Sequence, residues 1–448
     1  MKLGFVAMSG VRAQNKELME FGLTLPGFIE RSKVVASLPS LGLLILAGMT
    51  PSDIELEYLE VPNIEDVDLR RPPGNFDVVA ISGLSAQIKD AYRLADSYRA
   101  AGVIVLLGGL HVSALPGEAG LHADAVIVGE GEPAWPSVID DLRRGRVQPL
   151  YNNAGLHTFD FSEAPMPRYD LLQIDRYNRL TVQTQRGCPF RCDFCAASIR
   201  ISPTYKIKPV DKVMREIRYI KQLWPKPFIE FADDNSFVNK QRSKELLRKL
   251  SDEHVRWFTE SDVSIGEDDE LLYLMRESGC AQVLIGFESP SYAALDGLEL
   301  RANWKARQLD RYCRAIDRIQ SHGITVNGCF ILGLDGSDRT SFENVWQFVK
   351  DSGLYEVQIT VLTPFPGTPL YERLKSQGRL LEENAWERCT LFDVNFKPTH
   401  MTVAELESGF RELGTKLYSA EFTKQRREGY RRQLRRRRHE AALCGGSQ

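Results

Sequence analysis

The chain has 448 residues, enough for two domains rather than one ordinary core. Apolar residues make up 43% and charged residues 26%, which excludes a mainly disordered chain. No apolar run reaches the roughly 18 residues of a membrane helix. The net charge of −3 is uneven: residues 424–439 hold eight Arg and one Lys against one Glu, a net +8 that leaves −11 on the rest. An acidic body with a basic tail disfavours a stable nucleic-acid partner for the whole protein.

Lys2–Met8 reads as a strand with no long apolar core or small-residue cleavage site, so no signal peptide and a cytoplasmic location are expected. Apolar helix spacing follows over Pro39–Met49, then strand-like runs at Ile54–Val61 and Asp77–Ile81. Gln87–Ala101 reads as a helix, and Val103–Leu107 as a strand ending in Gly108-Gly109. Asp124–Val128 is the fifth strand, followed by Gly129-Glu130-Gly131-Glu132 and a helix over Pro133–Leu142. Five apolar strands separated by helices predict a mainly parallel sheet covered on both faces. Ligands of such sheets bind beyond the carboxyl ends of the strands, where these glycines fall.

Residues 146–179 read as a packed linker, with Pro149, Pro165 and Pro167 and four aromatics (Phe159, Phe161, Tyr169, Tyr177) that call for burial. A second series follows, with strands at Leu180–Gln183, Phe228–Ala232, Val255–Ser261, Gln282–Phe287, Thr325–Leu332 and Glu356–Thr363. Helices are predicted over Pro209–Leu223, Lys240–Ser251, Glu267–Ser278, Asn303–Ser321 and Thr340–Ser352. Six such units make a partial or complete parallel barrel. Beyond it, Val403–Tyr418 carries Leu406, Phe410, Leu413 and Leu417 on one face.

The eight cysteines do not form a secreted disulfide pattern. Cys280, Cys313 and Cys329 stand alone in apolar settings and read as core. Cys188, Cys192 and Cys195 fall within Gly187-Cys188-Pro189-Phe190-Arg191-Cys192-Asp193-Phe194-Cys195, just after a predicted strand. Three thiolates at C-x3-C-x2-C spacing suit an iron–sulfur cube with one iron left open. Zinc and three unligated core cysteines are the alternatives; zinc ordinarily takes a second Cys/His pair, which the sequence lacks.

This loop resembles that of the radical S-adenosylmethionine (SAM) enzymes, with Phe194 at the aromatic position beside the adenine. Four later segments agree in order. Phe231-Ala232-Asp233-Asp234-Asn235 resembles the second-strand segment facing the methionine amine. Gly286-Phe287-Glu288-Ser289 resembles the fourth-strand segment near the carboxylate and ribose. Phe330-Ile331-Leu332-Gly333-Leu334-Asp335-Gly336 resembles the fifth, near the adenine, and Thr363-Pro364-Phe365-Pro366-Gly367-Thr368-Pro369 the sixth-strand turn. The resemblance implies a [4Fe-4S] cluster on Cys188, Cys192 and Cys195. It places SAM against Phe194, Asp233, Asp234, Glu288, Ser289 and Gly333. It also implies an external electron donor such as flavodoxin or ferredoxin.

The N-terminal part resembles the cobalamin-binding domain fused ahead of many such barrels. The resemblance rests on Ser82-Gly83-Leu84, Gly108-Gly109 and Gly129-Glu130, which imply that Ser82, Leu84, Gly108, Gly109, Gly129 and Glu130 line the cofactor. One departure stands out. Met8-Ser9-Gly10-Val11-Arg12 follows the first strand where many cobalamin domains carry the cobalt-ligating His, and no His precedes His111. The resemblance therefore implies cobalamin bound His-off; His111 itself reads as a loop or helix-start residue.

The fold class expected is α/β: a Rossmann-like cobalamin-binding domain (1–145), the linker (146–179), a partial (β/α)6 radical SAM barrel (180–375), a small helical cap over its mouth (376–422) and a basic tail (423–448). The tail reads as a solvated end, with a weak peripheral membrane contact as the alternative. The implied reaction is C-methylation of an unactivated carbon through a 5′-deoxyadenosyl radical. The expected substrate is a small, largely apolar or planar metabolite, with Trp386, Cys389 and His400 as candidate pocket residues. The alternatives are a radical cyclase or other C–H transformation with a vestigial cobalamin domain, a tRNA- or protein-modifying radical enzyme, and a non-catalytic cobalamin or redox sensor.

Overall fold

Residues 1–10, 13–14, 38–153, 159–196 and 205–445 are described in a computed structural model, with side chains to 436; Val11 and Arg12 lie outside the described residues. The first apolar runs form β1 (Lys2–Met8), β2 (Glu55–Val61), β3 (Val78–Ser82), β4 (Ile104–Gly108) and β5 (Ala125–Val128). A sixth strand, β6 (Leu150–Asn152), lies within the span read as linker. It was hidden because three half-exposed residues carry no period. All pairings are parallel, in the order β2-β1-β3-β4-β5-β6, so the direction of winding reverses between β1 and β3. Helices α1 (Leu41–Met49), α2 (Ile88–Ala100) and α3 (Gly131–Arg143) cover the sheet. Linker aromatics Phe161, Tyr169 and Tyr177 are buried, as their composition requires.

The second sheet is built from β7 (Leu180–Val182), β10 (Phe228–Ser236), β11 (Arg256–Ser261), β12 (Cys280–Glu288), β13 (Thr325–Leu332) and β14 (Glu356–Val361), in sequential parallel order. Between β7 and β10 lies a two-stranded antiparallel ribbon, β8 (Gln185–Arg186) with β9 (Lys206–Ile207). Helices α4 (Val210–Leu223), α5 (Lys240–Ser251), α6 (Asp269–Glu277), α7 (Tyr312–Ser321) and α8 (Thr340–Ser352) connect the strands. The helix expected over Asn303–Ser321 is broken into a short turn at Trp304–Arg307, a 3-10 turn and α7. Among the described strands β7 and β14 do not pair, so the barrel is open.

The open edge explains the C-terminal segment. After α9 (Pro369–Ser376), α10 (Val403–Tyr418) packs on α8 and β14, burying Leu406, Phe410, Leu413 and Leu417. The edge strand's free N–H groups need partners. Ile359 N–H donates to the Tyr418 hydroxyl at 3.1 Å and Val361 N–H to the Leu391 carbonyl at 2.7 Å. The segment thus closes the side of the barrel, and Arg379 and Thr399 also bond Asp335 just past the end of β13. The basic tail also differs from a solvated end. It continues as α11 (Ala420–Gly445), which docks through Phe422 on Trp346, Tyr430 on Tyr355 and Arg427 on Glu356. Arg426, 6% exposed, donates to the carbonyls of Tyr355 and Leu417. No described helix is long and apolar enough to cross a membrane.

Phe410→Ala is expected to cost about 3–5 kcal/mol by opening the α8–α10 packing. The exposed Lys416→Ala on the same helix is expected to stay within about 0.5 kcal/mol. Chemical denaturation midpoints of the two variants check this.

Candidate active site

The cysteine loop is fixed by carboxylates that its own sequence does not reveal. Gly187, at φ 85°, donates its N–H to Asp234 Oδ2 at 2.7 Å, which sets the entry of the loop. Glu299, 3% exposed, accepts the backbone N–H groups of Arg191, Arg301, Ala302 and Trp304 at 2.8–3.3 Å. Those four bonds outweigh burial and hold its carboxyl below the usual range. Asp193 pairs with Arg373 of α9 at 2.7 Å, and Arg373 also reaches Asp335. Phe190 stacks on Trp304 at 4.2 Å. Phe194 is half-buried.

Cys188, Cys192 and Cys195 are free thiols, and each lies within electrostatic range of the others. Burial pushes Cys188 up to about 11 and Cys192 higher still. Uncompensated thiolates are disfavoured there, and a cationic centre would supply the missing charge. The donor set therefore fits a thiolate-ligated cluster. Among the described residues no three His, Cys, Asp or Glu side chains converge on a single metal ion.

The two adjacent aspartates of β10 part company. Asp233 is buried, and its carboxylate accepts from Thr184 N–H and hydroxyl, Gln185 N–H and the Ser236 hydroxyl at 2.6–3.1 Å. Its lone pairs are spent tying β10 to the turn after β7, so it does not face a methionine amine as expected. Asp234, one residue on, points the other way into the interdomain cavity. Glu288 holds Lys305 at 2.8 Å from a left-handed backbone (φ 62°). The Ser289 hydroxyl accepts the Ser291 N–H at 3.1 Å, a turn-capping role. Gly333 is required by packing: a Cβ there would lie 2.8 Å from Phe396 and 2.9 Å from Leu406.

A cavity of about 320 Å³ opens at the carboxyl ends of β3, β4 and β5, between α1 and α3, and faces the barrel. Ser82, Gly108, Gly109, Gly129 and Glu130 line it, and Leu84 does not: it stands 50% exposed outside. A Cβ on Gly108 would meet only Ile127, at 3.8 Å, so the space before it is open. Gly109 holds φ 112°, a conformation side chains rarely adopt. A glycine-walled slot of this size suits an elongated arm such as the nucleotide tail of cobalamin. His111 is excluded as a cobalt ligand, because it is 1% exposed with Nδ1 on Ser85 (3.1 Å) and Nε2 on Glu118 (3.3 Å).

The seam between the cavity and the cysteine loop is ionic. Arg186, just before Gly187-Cys188, pairs with Glu130 at 3.0 Å and Glu132 at 2.7 Å; Lys206 pairs with Glu130 at 2.5 Å. Burial alone would raise the Glu132 carboxyl, but Arg186 outweighs it and holds the group below its ordinary value. Arg186 lay next to the motif in sequence and carried no signal of its partners.

The candidate pocket residues lie elsewhere. Trp386 and Cys389 are buried against the N-terminal sheet, where Trp386 Nε1 donates to Glu118 at 3.1 Å and its ring meets His111 edge-on. His400 is exposed on the exterior. The aromatic lining that suggested a largely apolar or planar substrate is therefore core. Cys280 is core as read, but Cys313 is exposed and Cys329 is half-buried on the barrel strand β13.

Comparison with known proteins agrees with this architecture. The radical SAM superfamily pattern matches residues 182–349, a B12-binding domain 31–139, and a domain of unknown function (DUF4070) 368–444. An uncharacterised methyltransferase of Synechocystis sp. is 30% identical over 81% of this chain and 67% of its own length. The bacteriochlorophyllide d C-12(1)-methyltransferase of Chlorobaculum tepidum is 27% identical over 87% of this chain and 84% of its own. The fold matches TsrM of Kitasatospora setae, a radical SAM methyltransferase solved with cobalamin and a [4Fe-4S] cluster, with a TM-score of 0.66 at 14% identity over 98% and 99% of the two chains. The chain belongs to the radical SAM enzymes that carry an N-terminal cobalamin-binding domain.

Arg186→Met is expected to cost about 3–5 kcal/mol, because it strands the buried Glu132 carboxylate and leaves Glu130 with Lys206 alone. A depressed carboxyl contributes stability above its unfolded value of 4.5 and loses it as pH falls through the folded value. The deficit of the variant should therefore be full at pH 7 and shrink below pH 4.5, as read by denaturation midpoints across pH.

Proposed function

We propose that this enzyme methylates an unactivated carbon of a small molecule, with cobalamin and a [4Fe-4S] cluster on Cys188, Cys192 and Cys195. The observation that carries the reading is the seam. Arg186 joins the loop that presents three thiols to the loop that walls a glycine-lined cavity, and Arg186 and Asp234 themselves line that cavity. The Synechocystis and Chlorobaculum proteins named above are methyltransferases by description. When bound, the cluster and SAM supply hydrogen-atom abstraction and cobalamin supplies the methyl group.

The chain's own residues do the rest. Asp234 and Glu299 hold the cysteine loop rigid. Glu288 and Lys305 place a buried ion pair at the mouth, where SAM would lie across the strand ends. Gly108, Gly109 and Gly129 leave room for the cofactor arm. The closed side of the barrel, sealed by α10 along β14, helps to exclude water from the reacting carbon. Reduction calls for an external one-electron donor of flavodoxin or ferredoxin type. The exposed arginines of α11 form a basic surface that suits a weak anionic contact.

The test is anaerobic reconstitution followed by iron, sulfide and cobalamin analysis of the wild type and the Cys188→Ala/Cys192→Ala/Cys195→Ala variant. About four iron per chain, lost in the variant, and about one cobalamin in both are expected. With SAM and reductant, S-adenosylhomocysteine formation marks methyl transfer. Iron without cobalamin would move the reading to a cobalamin-free radical enzyme.

A further inference from the structure

The C-terminal region, whose residues 368–444 match the domain of unknown function, touches both halves of the site. At its start Leu370 N–H donates to the Asp193 carbonyl at 3.0 Å and Arg373 pairs with the Asp193 carboxylate at 2.7 Å, so α9 is tied to the cysteine loop. Farther along, Trp386 and Cys389 enter the apolar core on one face of the N-terminal sheet. The turn Trp386–Arg388 packs on the turn Ser85–Gln87 after β3, and Glu387 pairs with Lys89 at 2.7 Å. Tyr371 of α9 meets the Trp386 ring at 5.6 Å, which joins the two contacts.

Through that apolar core runs a hydrogen-bonded relay. Trp386 Nε1 donates to Glu118 Oε2 at 3.1 Å. The other Glu118 oxygen lies 3.3 Å from His111 Nε2, and His111 Nδ1 lies 3.1 Å from the Ser85 hydroxyl. Trp386 is 3% exposed and His111 1%, and their rings meet edge-on at 5.2 Å. Burial favours the neutral His111. Its Nε2–H then donates to the carboxylate, and Nδ1 accepts from Ser85.

The relay ends on the walls of the glycine-lined cavity. His111 sits in the helical turn Leu110–Ala114, directly after Gly108, Gly109 and Leu110, which all line the cavity. Ser85 continues the loop from Ser82, another lining residue. On the same turn the Ser113 hydroxyl accepts the N–H of Gly129, the lining residue after β5, at 2.9 Å. One short turn thus gathers the loops after β3, β4 and β5, and Trp386 bears on it through Glu118. Apolar side chains would fill this core equally well. Hydrogen bonds add little net stability there, but they fix direction and register.

We infer that the C-terminal region braces the cofactor cavity: Trp386 is a positioning residue that, through Glu118 and His111, sets the turn Leu110–Ala114 and with it the three loops that would hold cobalamin. This rests on the proposed function for what fills the cavity. It gives the region a task besides closing the barrel, since the segment that anchors Asp193 at the cysteine loop also sets the cavity walls.

The test uses the full chain, reconstituted with iron and sulfide, and hydroxocobalamin as the probe. Glu118 is partly exposed, so Glu118→Met cuts the relay at small cost in stability. Glu118→Gln keeps it: the amide oxygen accepts from Trp386, and the amide N–H donates to the other tautomer of His111. Trp386→Phe keeps a ring and loses the donor, and Cys389→Ala opens the same core without touching the relay. In equilibrium dialysis Glu118→Met and Trp386→Phe are expected to weaken hydroxocobalamin binding roughly fivefold each. The double variant should bind at most about twofold more weakly than the weaker single, because both cut one relay. Glu118→Gln and Cys389→Ala should stay within about twofold of wild type.

Amide hydrogen exchange, read without cobalamin, follows the walls themselves. Exchange at Leu110–Ala114 and Gly129 is expected to quicken at least about tenfold in Glu118→Met and Trp386→Phe and to stay at the wild-type rate in Glu118→Gln. Wild-type affinity or wild-type exchange in Glu118→Met overturns the brace and leaves the proposed function standing. Equal weakening in Glu118→Gln or Cys389→Ala also overturns it, since charge or packing alone would then account for the loss. A wild type that takes up iron but no hydroxocobalamin sinks the proposed function, and the exchange rates then decide the brace by themselves.

Discussion

The guanidinium of Arg186 is taken out of water between two carboxylates at the start of α3 in the N-terminal domain, and the geometry of the site depends on it. Desolvating three charges costs several kcal/mol per ion, which only close pairing returns. The seam is therefore stable at one relative placement of the two sheets and poor at others. That placement sets how the glycine-walled cavity faces the cysteine loop, because Arg186 is followed directly by Gly187 and Cys188. A cavity and a loop joined this way are ordered by the same pairs, so what fills one bears on the order of the other.

The loop's own stiffness has a separate source. A nine-residue stretch with no regular structure keeps its backbone polar groups unsatisfied unless something supplies partners. Glu299 takes up four N–H groups, one at Arg191 within the loop and three in the segment that follows Glu299 itself. Asp193 anchors the loop through Arg373 to α9 and, by way of Asp335, to the turn after β13. Loop, strand end and C-terminal segment are thus tied together, as a centre handling reactive species needs.

Much of this was legible in the sequence, and the misses have physical causes. Apolar runs located the strands because buried parallel strands are apolar on both faces at their ends. The C-x3-C-x2-C spacing located the loop because ligand spacing is local. Asp233 and Asp234 were not separable: a period of two sends neighbours to opposite faces, and a motif does not say which one faces in. Glu299 with Arg191, Arg373 with Asp193, and Arg186 with its partners act across 50 residues or more, which no local pattern encodes. Trp386 and Cys389 looked like pocket residues because an aromatic segment after a barrel suits a lining as well as a core; the N-terminal sheet decided for core. The tail's charge suggested a solvated end, yet one face of α11 carries Phe422, Arg426 and Tyr430 at helical spacing, and these dock it.

The polar interior of the barrel sits at odds with stability taken alone. Each buried acceptor without a donor costs about 1–3 kcal/mol, and filling the lumen with Leu or Val would remove that cost. Among the described residues three amide oxygens, of Gln282, Asn327 and Gln358, lack a donor on the same inner face, in a sheet whose outer face is packed against helices. Poor satisfaction there is not loose folding, since the same strands complete their backbone ladder and their outer packing. It is a set of acceptors held in place by a rigid sheet and without a donor among the described residues.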